Sequence, residues 1–146
     1  MVLVDTGVNS SYLFWRFNLI DLKKIKRFAQ EIHDKNNDGH GFDHIERVVA
    51  LARKILLTEP SANQELVLAT CYLHDTYDEK LTDDVPKQKV KVAQFLNELK
   101  IDKKLIDELF MIIDNMSFSS NLIERKTLSL NGQIVQDADR LDAMGA

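Results

Sequence analysis

Little in this sequence marks a secreted, membrane-spanning or nucleic-acid-binding protein. Cys71 is its one cysteine, so no disulfide can close within the chain, and a reducing compartment, the cytoplasm, is expected. No apolar run comes near the roughly 18 residues that a membrane span needs; the densest, Leu109 to Ile113, has five. Residues 1–18 lack a basic leader and carry Asp5, so no signal peptide is expected. Positive charge is in deficit, with 19 Lys and Arg against 23 Asp and Glu and a formal net charge of −4. A field of that sign repels a polyanion and argues against broad nucleic-acid binding, yet it leaves room for a local cationic pocket holding a small phosphate ester. Glycine and proline are also scarce, at 5 and 2 of 146 residues, against roughly 12% together in average usage. That scarcity favours helices joined by short turns.

What is present fits one helical domain. A chain of 146 residues that is 45% hydrophobic can bury a core unaided. Ile25, Phe28, Ala29 and Ile32 follow the helical i, i+3, i+4, i+7 spacing, and the run of turn formers from Asn36 to Gly39 ends that helix. Asp43 with Glu46 reads as a variant capping box opening a second helix, and Ser61 with Gln64 as the box opening a third. Pro86 suits the first turn of a fourth helix, supported by Val90, Ala93, Phe95, Leu96 and Leu99. Asp102 caps a fifth through Leu105, Ile106, Leu109, Ile112 and Ile113. Residues 115–132 are the least regular stretch, and a last helix is expected to start near Ile134 or Val135. The fold class predicted is all-α.

Four histidines differ in address. His33, near the polar end of the first helix, reads as solvated. His44 shares a side with Val48 and Leu51, and His74 follows Val67, Thr70 and Cys71 at helical spacing, so both point inward. Taken singly, either could be an ordinary core histidine. Asp75 adjoins His74 near a helix end, where both can reach a common ion. Asp139, between Val135 and Ala143 one turn either side, is a carboxylate at an inward address, costly unless paired. Arg140 or Lys80 could supply that pair, or a metal ion could. His44, His74, Asp75 and Asp139 together make a nitrogen and oxygen set without thiolate, suited to a hard to borderline divalent ion. Arg140 would then orient carboxylates such as Asp137 or Asp142. Cys71, backed by Val67 and Leu68, reads as core.

The segments HGFDHIERV (40–48), CYLHDTYDEK (71–80) and VQDADRLDA (135–143) resemble, in order as well as in letters, the H…HD…D signature of the HD-domain phosphohydrolase superfamily. The string VQDADRLDAMGA and the preceding MSFS (116–119) resemble its small bacterial stand-alone hydrolases. The resemblance covers roughly residues 20–146, leaving residues 1–18 as an N-terminal extension and 19–146 as an HD domain that is short at the C-terminus relative to the family. It implies an HD-type helical bundle, hydrolysis of phosphate esters or anhydrides, and a divalent ion, manganese foremost, with magnesium, iron, nickel or cobalt as the other choices. His44, His74, Asp75 and Asp139 match the family's metal ligands. Asp78 and then Glu79 fall where related nucleotide hydrolases keep acidic residues that activate water, with solvated loop carboxylates as the competing reading.

On this resemblance the substrate is a small phosphorylated metabolite, a nucleotide first. Lys80, then Arg47, are the cations that could assist the leaving phosphate, and either could instead be a structural ion-pair partner. His40 could contact substrate or stand in solvent. Helices missing relative to the family would expose apolar surface and favour a homo-oligomer. The competing function is a catalytically weak HD module that binds nucleotide or metal as a sensor or assembly element.

Overall fold

The computed structural model of the chain describes residues 19–36, 41–116 and 128–145. Among them run six helices: α1 Leu22–Asn36, α2 Gly41–Leu56, α3 Gln64–Leu73, α4 Val85–Glu98, α5 Lys103–Asn115 and α6 Leu130–Ala143. The architecture is all-α, as the spacing predicts. No helix among the described residues is long and apolar enough to cross a membrane.

The centre of the bundle is α3. Every side chain from Leu66 to Leu73 is buried, and α1, α2, α5 and α6 all pack against it. A helix that is apolar all round has nowhere else to sit. The flanking helices are one-sided: α2 turns Ile45, Val48, Val49, Ala52 and Leu56 inward, and α5 turns Ile106, Leu109, Ile112 and Ile113 inward. The closest partner of α2 is α6, whose Ile134, Val135 and Ala138 are buried. Val90, expected to support α4, is 55% exposed; Val92, outside the expected set, is buried there beside Leu96, which is buried as expected.

Helix starts depart from the capping reading in three places. Since α2 begins at Gly41, Asp43 lies inside its first turn, where a carboxylate complements the helix dipole without capping. The cap of α3 is Asn63, whose side chain accepts from the Leu66 amide, and not Ser61. Helix α6 starts a full turn earlier than expected, capped by Ser129. Polar side chains from other elements fix that start: Glu108 Oε2 accepts from Ser129 Oγ and from Asn131 Nδ2, both at 2.9 Å, and Asn131 Oδ1 accepts from the Asn63 amide at 2.7 Å. The α3 cap, α5 and the first turn of α6 are thereby locked in register, which sets the depth at which residues further along α6 reach the bundle.

Two other expectations are corrected. His33 is not solvated; it is 2% exposed, on the same side of α1 as Ile25 and Ala29. Ala143 is exposed, so the inward stripe of α6 near Asp139 is Val135 and Ala138. His40, residues 117–127 and the aromatic group at 12–17 lie outside the described residues.

Candidate metal centre

Three elements deliver one cluster. His44 comes from the first turn of α2. His74 is the residue that ends α3, and Asp75 follows it into a chain of turns in which Thr76, Asp78 and Leu81 donate their amides to the carbonyls of Leu73, Asp75 and Asp78. Buried Thr76 seals the helix end by donating its hydroxyl to the Leu73 carbonyl at 2.7 Å. Asp139 comes from α6. Its Oδ1 lies 3.0 Å from His44 Nε2 and 3.2 Å from His74 Nε2, while Asp75 places its oxygens 3.3 Å from His74 Nε2 and 3.8 Å from His44 Nε2. Thus four side chains spaced across the sequence converge, and His44, His74 and Asp75 each offer a donor atom within 4.8 Å of the others.

The far side of each imidazole explains its orientation. His74 Nδ1 donates to the Cys71 carbonyl at 2.7 Å; a carbonyl can only accept, so the proton sits on Nδ1. His44 Nδ1 lies 2.6 Å from Asp142 Oδ2, and Asp142 is in turn gripped by Arg47, whose Nε donates to Oδ1 at 2.7 Å. With both Nδ1 atoms committed to oxygen acceptors, both Nε2 lone pairs are available on the inner side. The donor spacing fits a divalent ion, because neighbouring donors about 2.1 Å from a metal lie roughly 3 Å apart. Cys71 is buried and burial pushes its thiol up, so it contributes packing and a carbonyl.

No local pattern in the sequence links Asp142 to His44 or Arg47 to Asp142. Arg140, the expected partner of Asp142 and of Asp139, is exposed, and both carboxylates pair with other residues. Of the remaining expected site residues, Asp78 lines both cavities that adjoin the cluster. One, of about 440 Å³, also takes in Glu79, Lys80, Tyr77 and an apolar wall of Val85, Ile113 and Met116. The smaller, about 190 Å³, is lined by His33, His44, Asp75 and Lys80 among others. Outward from Glu79 and Lys80 runs a groove of about 550 Å³ lined by Lys35, Lys87 and Lys91 but also by Asp83 and Asp84, so its charge is mixed. Tyr77, buried at 7% exposure, is held by donating to Asp114 Oδ1 at 2.7 Å, and Lys89 binds the other oxygen of Asp114 at 2.6 Å.

Without an ion, protons do the bridging. Burial alone lowers the His74 pKa, but Asp75 and Asp139 outweigh it and lift it from 6.5 to about 9. His44 is raised as well, first by its hydrogen bond to Asp139. Burial raises Asp139, yet the two histidines hold it well below the usual carboxylate range. A histidine whose folded-state pKa is raised lends stability that is full below its unfolded value and is lost as pH climbs through the folded one. The metal-free protein is therefore expected to lose on the order of a few kcal/mol between pH 6.5 and 9. An ion bound at these nitrogens would displace the protons, so its affinity for the folded chain would rise over the same window and offset that loss, leaving the loaded protein's stability nearly level. Melting temperatures taken at both ends of the window should fall in chelator and stay nearly level in excess manganese. A flat metal-free profile would mean that the imidazoles are not protonated in the folded state.

Comparison with known proteins places the chain among relatives of one family. The family model described as HD domain matches residues 41–144. The chain is 35% identical over 125 residues to the Bacillus subtilis (strain 168) protein YpgQ, an alignment covering 85% of this chain and 60% of YpgQ. A crystal structure of a Lactobacillus plantarum protein superposes with a TM-score of 0.75 at 38% identity, covering 84% of this chain and 56% of that one. The crystal structure of B. subtilis YpgQ in complex with ADP gives 0.68 at 33% identity, over 87% and 60% of the two chains. The chain thus spans less than two thirds of the length of these relatives. With the family model covering most of the chain and the His74–Asp75 pair at the heart of its polar cluster, the chain belongs to the HD domain family.

Proposed function

We propose that this chain is a metal-dependent phosphohydrolase whose substrate is a small phosphorylated metabolite, a nucleotide first. The observation that carries the proposal is the pair of imidazoles anchored through Nδ1, both turning Nε2 to one Asp139 oxygen at 3.0 and 3.2 Å. In this reading His44, His74, Asp75 and Asp139 hold a divalent ion, manganese first. When bound, such an ion polarises a phosphoryl oxygen and acidifies water.

The chain's own residues supply the rest. Asp78, half-buried beside the cluster, accepts the proton of the attacking water; its Oδ1 also accepts from the Lys80 amide at 2.9 Å, which holds the carboxylate in place. Glu79 is exposed and ranks second as base. Lys80 lines the two cavities and the mixed-charge groove alike, so its ammonium is the cation best placed to take phosphate charge. The fork of Arg47 is engaged by Asp142, which favours its ion-pair role over phosphate binding. Val85, Ile113, Met116 and Tyr77 offer an apolar wall for a nucleobase. The ADP in the YpgQ crystal supports a nucleotide as the first class to try.

The test is a screen of nucleoside mono-, di- and triphosphates against added manganese, magnesium, iron, cobalt and nickel, reading released phosphate and pyrophosphate. Turnover that needs the added ion and stops with chelator is expected. Absence of release in every combination would overturn the proposal.

A further inference from the structure

Asp114, near the C-terminal end of α5, ties together both ends of the stretch that carries the candidate base. One of its carboxylate oxygens accepts from the Tyr77 hydroxyl at 2.7 Å, and the other pairs with Lys89 Nζ at 2.6 Å. Asp78 and Lys80 lie between those two points in the chain. The Lys89 ammonium also stands 5.8 Å from the centre of the Tyr77 ring and 5.4 Å from that of Phe110, and the two rings are 5.9 Å apart. The clasp joins three elements at one place: the turns after α3, the first half of α4 and the end of α5.

The bonds within those turns are local. The amides of Thr76, Asp78 and Leu81 each reach back three residues, the Thr76 hydroxyl reaches Leu73, and Asp78 Oδ1 accepts the Lys80 amide. Bonds of such short span shape a turn but leave its direction open. Among the described residues, the hydrogen bond that joins residues 76–81 to another helix is the one from the Tyr77 hydroxyl. Tyr77 is buried, and α5 is itself fixed in the core by Ile106, Leu109, Ile112 and Ile113. That helix gives no donor to the cluster of His44, His74, Asp75 and Asp139, so its hold on Tyr77 acts on the turns.

We propose that Tyr77 and Asp114 are a positioning pair that holds Asp78 where it can take the proton of the attacking water. The inference rests on the reading of Asp78 as general base and adds to it the strut that aims the carboxylate. A base displaced by about 1 Å loses much of its effect, because errors of placement at a reacting group cost rate steeply. Tyr77→Phe isolates the strut: it keeps the ring against Phe110 and leaves Asp114 its pair with Lys89.

Two measurements test the pair. In the metal-free protein, amide hydrogen exchange at Thr76, Asp78 and Leu81 is expected to run about 10-fold faster in Tyr77→Phe than in the wild type, with exchange in α5 unchanged. With manganese and the nucleotide turned over fastest in the screen above, Tyr77→Phe is expected to lower kcat about 10-fold while KM and metal content stay as they were. That cost should vanish when Asp78 is already replaced by Asn, because a pair that acts through the carboxylate then has nothing left to place. Asp114→Ala should repeat the Tyr77→Phe pattern, and Asp114→Asn, which keeps an oxygen for the hydroxyl, should recover most of the rate. Unaltered exchange overturns the inference whatever the activity. So does a kcat loss undiminished in the Asp78→Asn background, a rise in KM alone, which would put Tyr77 on the substrate, or loss of metal, which would put it behind Asp75. If Tyr77→Phe fails to fold, Asp114→Ala takes its place in both measurements. Unchanged kcat in Asp78→Asn itself, or no turnover by the wild type, overturns the reading of Asp78 and the inference together.

Discussion

Asp139→Ala is expected to release the ion and with it all measurable turnover, while Asp142→Ala lowers metal affinity by about 10- to 100-fold and leaves a functional site behind. The two carboxylates are three residues apart on α6, so composition cannot separate them. Geometry does. Asp139 Oδ1 is the oxygen that both imidazole Nε2 atoms face, at 3.0 and 3.2 Å, and its loss deletes a donor and a negative charge together. Asp142 faces the other nitrogen of His44 at 2.6 Å, with its side chain 7% exposed and Arg47 on its second oxygen. Removing it frees the ring to rotate and leaves Arg47 unpaired, but it takes no donor from the centre. Metal content after dialysis and titrated affinity of both variants check this, once circular dichroism shows equal helicity. Retention of the ion by Asp139→Ala and its loss from Asp142→Ala would exchange their roles.

Asp78→Asn is expected to cut kcat by about 100-fold or more, within the range that a positioned general base contributes, with metal content unchanged. The substitution is mild in structural terms, since an asparagine oxygen can still accept the Lys80 amide that Asp78 Oδ1 accepts at 2.9 Å. What it loses is the ability to take a proton. Glu79→Gln, at an exposed position, should change kcat much less. The check is turnover beside metal analysis on each variant. Loss of the ion from Asp78→Asn would make Asp78 a ligand; unchanged kcat in both would return the two carboxylates to solvent.

The helical periodicity of α1 to α5 was legible because the apolar spacing is strong, and Asp102 and Pro86 mark their helix starts as chemistry requires. The misplaced starts share a cause. Ser, Asn and Asp cap almost equally well, so Ser61 and Asn63 compete on sequence, and only the Asn131 bond to the Asn63 amide settles which is used. Asn131 and Gly132 look like a turn, yet Glu108 from α5 satisfies the first turn of α6 and lets the helix begin at Leu130. His33 was readable in principle: Ile25, Ala29 and His33 are four apart and form the buried stripe of α1. The polar residues after it, Lys35 to Asp38, obscured that register. Pairings such as Asp142 with His44, 98 residues apart, depend on how α2 and α6 cross and leave no local trace.

The burial of α3 on all sides bears on how the chain reaches its native state. Residues 66–73, LVLATCYL, carry no charge and neither glycine nor proline, the composition of a segment that adheres to copies of itself when uncovered. Two of the four helices that cover it, α5 and α6, lie downstream. A chain emerging from the ribosome therefore displays this stretch before its shelter has been synthesised, and collapse onto α1 and α2 alone leaves part of it bare. Folding must wait for contacts far apart in sequence, and the interval before they form is when aggregation competes most strongly.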